Sequence, residues 1–116
     1  MNMYVLTKYD LTNEQIDDAR ENLAVNGEII QMPQEMLEIW RNMPPELCSR
    51  DIKLRLIPIR SWLHGHIRNN DILIVQGDLI NVFYIVYWMT VNGIKCYAPV
   101  QLPNGKHVRF TRYIIT

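Results

Sequence analysis

Apolar positions at the start of the chain come in short bursts with different periods. Met3-Tyr4-Val5-Leu6 is short and uniformly apolar, which predicts a buried strand. Leu11-Thr12-Asn13-Glu14-Gln15-Ile16 then opens a helix: Thr12 stands as N-cap, Gln15 completes a capping box, and Leu11 is spaced to pack on Ile16. Ile16, Ala19 and Leu23 continue one face until Asn26-Gly27 turns the chain. Residues 28–32, EIIQM, predict a second strand. Pro33 suits the first turn of a helix with the stripe Met36, Leu37 and Trp40, which Pro44-Pro45 ends.

From Ser49 to His66 the pattern is helical but holds Pro58, so the expectation is a kink or two pieces. After the turn Asn69-Asn70-Asp71 comes ILIVQGDLINVFYIVY, residues 72–87, two apolar runs parted by Gln76, Gly77 and Asp78. The first run is β-branched on three of four positions, as befits a strand buried on both faces. The second is a helix running to about Val91, capped by Asp78 and stopped by Asn92-Gly93. Its apolar residues occupy almost every face, which predicts deep burial. Residues 94–100 and 107–115 read as two more strands joined through Pro103-Asn104-Gly105. In the last strand, strict alternation would put His107, Arg109, Thr111 and Tyr113 on one face.

Strands alternating with helices predict an α/β fold, a mostly parallel sheet flanked by helices with a C-terminal antiparallel hairpin, all within one domain of residues 1–116. Ligands of such sheets sit beyond the carboxyl ends of the strands. Two loops qualify, Thr7-Lys8-Tyr9 and Gln76-Gly77-Asp78, and they meet only if their strands are neighbours.

Charge refines this picture. Residues 1–59 carry six Lys/Arg against ten Asp/Glu, and residues 60–116 carry six against two, so halves of −4 and +4 cancel. That suits a small anion, and offers no basic stripe for long nucleic acid. The absence of a membrane-length apolar run or a secretory leader predicts a soluble cytoplasmic protein with no membrane partner. Cys48 and Cys96, without C-x-x-C neighbours, are expected to be reduced, packed thiols. His64-Gly65-His66 is expected at the surface, since side chains two apart on a helix do not converge on a metal. The aromatics Trp62, Phe83, Tyr84, Tyr87 and Trp88 fall at helical spacing and are assigned to core or dimer interface.

The order of pieces, LTNEQ after an opening strand, PPEL, ILIVQGD with its apolar helix, CYAPV, and GKHVRFTRY, resembles the small stand-alone ring nucleases of type III CRISPR systems. Val75-Gln76-Gly77-Asp78 and His107-Val108-Arg109-Phe110 are its most specific parts. The resemblance implies a Rossmann-like fold of the CRISPR-associated type, a homodimer, no metal or cofactor, and cleavage of cyclic tetra-adenylate. It assigns Gln76, Asp78, Arg109 and Lys8 to catalysis, and Thr7, Tyr9, Gly77, Leu79, Asn81, Tyr97, His107 and Arg112 to substrate contacts. Such cleavage needs the ribose 2′-hydroxyl held in line with the leaving oxygen and charge stabilised on the phosphoryl group. Among these residues Gln76 can hydrogen-bond ribose or base, Lys8, Arg109 or Arg112 can neutralise charge, and Tyr9 and Tyr97 can stack on adenine. Asp78 is equally explained as a plain helix cap, and His107 as a half-buried strand residue. A non-catalytic sensor of the same ligand and a mononucleotide-binding subunit remain alternative readings of the same loops.

Overall fold

The computed structural model describes residues 1–114. Five strands, β1 (Met3–Thr7), β2 (Ile29–Gln31), β3 (Ile72–Gln76), β4 (Lys95–Gln101) and β5 (His107–Arg112), alternate with four helices. These are α1 (Asn13–Asn22), α2 (Gln34–Arg41), α3 (Ser49–His66) and α4 (Leu79–Val91). The strand order is β2-β1-β3-β4-β5, parallel throughout except for the antiparallel β4–β5 hairpin. The expected α/β class with its terminal hairpin is therefore present.

Alternation along each central strand feeds two cores. Tyr4, Leu6, Leu73, Val75 and Cys96 face a large cluster completed by α2, α3 and α4. Met3, Val5, Ile72, Ile74, Tyr97 and Phe110 face a smaller one closed by Ala19 of α1 and by Val25. Because both faces are covered, β1 is buried at all five positions, as its uniformly apolar sequence requires. At the end of the sheet opposite the candidate loops, buried Asp71 accepts from the amides of Asn2 and Arg68, locking the start of β1 to the turn before β3.

Local signals hold with some corrections. The Thr12–Gln15 capping box is formed in both directions. The buried residues of α1 are Gln15 and Ala19, and Leu11 packs against the smaller cluster. Pro33 occupies the N-cap position of α2. The Pro103-Asn104-Gly105 turn forms with Gly105 at φ +86°, a value that suits glycine alone. Cys96 is buried, which pushes its thiol pKa up to about 12, whereas Cys48 is exposed instead of packed. Ile115, expected in the last strand, lies outside the described residues.

Of the two outcomes expected at Pro58, two separate pieces are not found: α3 is one helix from Ser49 to His66 with Pro58 inside it, and Ile52, Leu56, Ile59 and Leu63 anchor both halves in one core while Pro58 faces solvent. Nor is α4 buried all round. Ile85, Val86 and Met89 face the core, while Leu79, Ile80, Phe83, Tyr87 and Val91 are exposed.

Since Pro58 forgoes an interior helix bond without making a buried contact, Pro58→Ala should raise stability by about 1–3 kcal/mol, the helix gain less the stiffness lost from the unfolded chain. The thermal midpoint should rise by about 4 °C or more. An unchanged or lower midpoint by calorimetry would mean that the proline sits at no cost.

Candidate functional site

The doubly wound strand order changes direction between β1 and β3, and the crevice beyond their carboxyl ends is the candidate site. The pairing Thr7↔Gln76 ends the β1–β3 ladder. It continues into the loops: the Lys8 amide donates to the Gln76 carbonyl at 3.0 Å and to the Gln76 side-chain Oε1 at 3.1 Å. Lys8 Nζ then reaches Asp78 Oδ1 at 2.9 Å, forming an exposed ion pair across the crest. The hydrogen bond from the ammonium to Asp78, and the charge behind it, raise the Lys8 pKa above its ordinary value. Thr7 is buried, its hydroxyl donating to the Tyr9 carbonyl, while the Tyr9 side chain is largely in solvent.

Asp78 holds the N-cap position of α4, yet its side chain makes no cap hydrogen bond, because it is spent on Lys8. The amides of Leu79, Ile80 and Asn81 have no acceptor within the helix, the first helical bond being Val82 to the Asp78 carbonyl. This is the electropositive end of a helix, open at the crest. Asn81 is 1% exposed, and its side-chain Nδ2 has no partner among the described residues.

The glycine of the crest has a packing reason. A Cβ at Gly77 would lie 2.8 Å from Trp40 Nε1 and 3.0 Å from two indole carbons. Trp40 is itself fully buried and donates from Nε1 to the Gln76 carbonyl at 3.0 Å. That carbonyl therefore accepts from both Trp40 and Lys8. Next to it, the Val75 carbonyl accepts from the Tyr113 hydroxyl at 3.1 Å. On the β1 side, Arg41 donates to the Thr7 carbonyl and pairs with Asp10, each at 3.0 Å. Sequence reasoning assigned Trp40 to a helix stripe and gave Arg41, Asp10 and Tyr113 no role at the site. Their partners all lie more than 30 residues away, and no local pattern marks them.

Beside the crest on the α1 side lies a small cleft lined by Thr7, Tyr9, Asp10, Leu11, Gln15, Gln76, Pro99 and Gln101, with about 30 Å³ of interior room. That is space for one or two waters.

Other expected site residues fall elsewhere. Tyr97 pairs with Ile74, two positions below Gln76, and packs into the α1-side core instead of offering a free stacking face. Arg112 pairs with Tyr97 and is exposed at that lower level, away from the crest. The β4–β5 register shifts between Val100 and Gln101: Val100 pairs with Arg109 and Gln101 with His107, leaving Val108 as an extra residue. Alternation is thereby broken, and His107 and Arg109 do not share a face. His107 turns to α1, where its Nε2 lies 2.7 Å from Asp18 Oδ2 and its ring stands 4.9 Å from that of Phe110. Arg109 is exposed on the face that carries α4. The Asn22 side-chain amide, and after it His107, hold the Asp18 carboxyl below its ordinary value against the opposing effect of burial. Elsewhere, exposed His66 stacks on Trp62 at 4.0 Å, and no cluster of three or more His, Cys, Asp or Glu among the described residues is arranged to hold a metal.

A family model for the Uncharacterized protein MJ1673 family matches residues 1–101. The chain belongs to that family. The matched part runs from β1 through β4, so it contains both crest loops, Trp40, Arg41 and the whole of α4, and leaves out β5 with His107 and Arg109. Similarity extends over nearly the full length to the Uncharacterized protein MJ1673 of Methanocaldococcus jannaschii, which is 33% identical over 126 residues, covering 96% of this chain and 95% of the relative. No solved structure matches the chain.

Two consequences of this geometry are measurable. Gly77→Ala forces a methyl group against an immobile indole and should lower stability by about 1–3 kcal/mol in urea denaturation; a loss near zero would mean that Trp40 can give way. The Asp18 carboxyl, depressed in the folded state, contributes stability above its ordinary pKa of 3.8 and loses it as pH falls through its lower folded value. Asp18→Asn should therefore flatten the acid limb of the stability profile below about pH 4. An acid limb of unchanged slope would show that the carboxyl titrates alike folded and unfolded.

Proposed function

We propose that the crest between β1 and β3 binds the phosphodiester of an oligoadenylate ring and that the protein is a metal-independent ring nuclease acting on cyclic tetra-adenylate in the cytoplasm. The observation that carries this reading is the convergence of Lys8, Gln76 and Asp78 beside the uncapped start of α4. It joins a partly exposed cation, a hydrogen-bonding amide, a carboxylate and a row of main-chain donors within one crevice. The resemblance of Val75-Gln76-Gly77-Asp78 to the ring nucleases of type III CRISPR systems supplies the substrate.

In this reading the α4 amides take the phosphoryl oxygens, as helix starts commonly do. An exposed Lys8–Asp78 pair is held weakly in water, so an arriving phosphate exchanges readily for the carboxylate. Lys8 then neutralises charge building on the phosphoryl group, and Asp78 is released to accept a hydrogen bond from the ribose 2′-hydroxyl. The 2′-oxygen attacks phosphorus as the bond to the 5′-oxygen breaks. The proton lost from the 2′-hydroxyl is balanced by the one gained at the 5′-oxygen, giving a 2′,3′-cyclic phosphate and a 5′-hydroxyl. Positioning carries most of the rate, and the crest is braced for it by Trp40, Arg41 and the β1–β3 ladder. Exposed Tyr9 stands at the rim, where an adenine can stack. With so little room in the cleft of one chain, a ring of four nucleotides needs a second copy to form its other wall.

The test is incubation of the purified protein with radiolabelled cyclic tetra-adenylate in excess EDTA. Linear di-adenylate ending in a 2′,3′-cyclic phosphate is expected, and Lys8→Ala should slow its appearance at least tenfold, about 1.4 kcal/mol of barrier. Ligand retained intact would replace the enzyme with a sensor, and absence of binding would remove adenylate from the site altogether.

A further inference from the structure

Gln15 stands in the first turn of α1 and is that helix's buried polar residue, only 3% exposed. The capping box uses half of its amide: Oε1 accepts from the Thr12 N–H at 2.8 Å. Because an N–H can only donate, the oxygen has to face Thr12, and Nε2 is turned away from it. That nitrogen makes no hydrogen bond among the described residues, and Gln15 lines the small cleft beside the crest. Gln76 repeats the arrangement from the end of β3. Its Oε1 accepts from the Lys8 amide at 3.1 Å, its Nε2 is likewise unpaired among the described residues, and it lines the same cleft. A helix cap accounts for the oxygen of Gln15 but not for its amino group, since a glutamate completes the same box. A donor tucked away without a partner is costly unless something in the cleft receives it.

The cleft also holds acceptors. Thr7, 2% exposed, spends its hydroxyl proton on the Tyr9 carbonyl, which leaves its oxygen free to accept. Asp10 pairs with Arg41 through Oδ1, leaving Oδ2. Among the described residues no Lys or Arg lines the cleft, so a phosphate finds no countercharge there, and the complement is a neutral polar group. Two fixed donors beside acceptors call for a donor flanked by acceptors. Adenine carries that pattern on one edge, an amino group between two unprotonated ring nitrogens, whereas guanine has a carbonyl in that place. The room of about 30 Å³ takes an amino group in place of one or two waters and leaves the ring outside, beside the exposed Tyr9.

We infer that Gln15 and Gln76 form a paired-amide site that reads the amino edge of adenine. Their Nε2 groups donate to the ring nitrogens, and the amino group donates to Thr7 Oγ1 or Asp10 Oδ2. Gln15 is thereby a specificity residue as well as a cap. The recognition of the base rests on the cleft alone; only its membership in an adenylate ring rests on the proposed function.

The experiment is a titration of the ¹⁵N-labelled full chain with adenosine 5′-monophosphate, inosine 5′-monophosphate and ribose 5-phosphate at millimolar concentration. The signals followed are the side-chain amides of Gln15 and Gln76, assigned through their own side-chain connectivities. Both should shift along one binding curve with adenosine monophosphate and stay in place with ribose 5-phosphate. Inosine monophosphate, whose carbonyl and ring N–H reverse the pattern, should bind roughly tenfold or more weakly. Gln15→Glu keeps an oxygen on Thr12 and loses the donor, so it should lower affinity for adenosine monophosphate by a similar factor with an unchanged circular dichroism spectrum. The wild-type titration decides the matter even if that variant fails to fold. Amide signals unmoved by adenosine monophosphate would leave the cleft to water and overturn the inference. So would equal shifts with ribose 5-phosphate, or equal affinity for inosine monophosphate. A mononucleotide has no ring to cleave, which separates this titration from the cleavage assay: shifts without cleavage keep the base site and remove the nuclease, and cleavage without shifts does the reverse.

Discussion

The parallel pairing of β1 with β3 is the constraint on which the site depends. Its five-residue register, buried on both faces, runs past the end of the sheet into the Lys8–Gln76 hydrogen bonds. Two loops nearly 70 residues apart in the chain are thereby held as one crest. No interaction between the loops alone could do this, since an exposed ion pair such as Lys8–Asp78 contributes too little to offset the entropy of ordering two segments. The buried strands do the ordering, and the polar groups inherit their positions.

Beneath the crest, the buried indole of Trp40 and the half-buried Arg41 and Tyr113 side chains add donors at the ends of the strands. Trp40 and Tyr113 donate to the last two carbonyls of β3, and Arg41 to the last carbonyl of β1. The Gln76 carbonyl so gains a second donor beside the Lys8 amide, and carbonyls left unpaired away from water are costly. Gly77 belongs to the same device, because only a residue without a side chain lets the indole stand directly under the backbone. The result is a braced floor with the more exposed side chains of Tyr9, Lys8 and Asp78 above it.

The sheet is unevenly clothed. One face has α1 alone, while the other has α2, α3 and α4. The α1 face holds His107, clamped to Asp18, whereas Arg109 emerges on the α4 face after the β5 bulge. A single extra residue thus separates two groups that a regular strand would present together. On the other face, α4 is wedged edgewise against the core, so its inner side is dry and its outer side is a broad apolar surface continuous with the crest.

Much was determined by the amino-acid sequence itself: the order and type of the elements, the Thr12–Gln15 cap, the hairpin turn at Gly105, and the two loops that end β1 and β3. These rest on local physics, on periodicity, capping and turn geometry, which operate within a few residues. Tertiary structure decided the remainder. That β1 and β3 are neighbours, that Gly77 answers to Trp40, that Asp78 pairs with Lys8 instead of capping α4, and that Tyr97 and Arg112 lie below the crest all depend on residues distant in the chain. So does the burial of α4, whose all-apolar sequence is compatible with any orientation. Short-range preference sets what each segment is, but which faces meet is settled only when the whole chain competes for the same core.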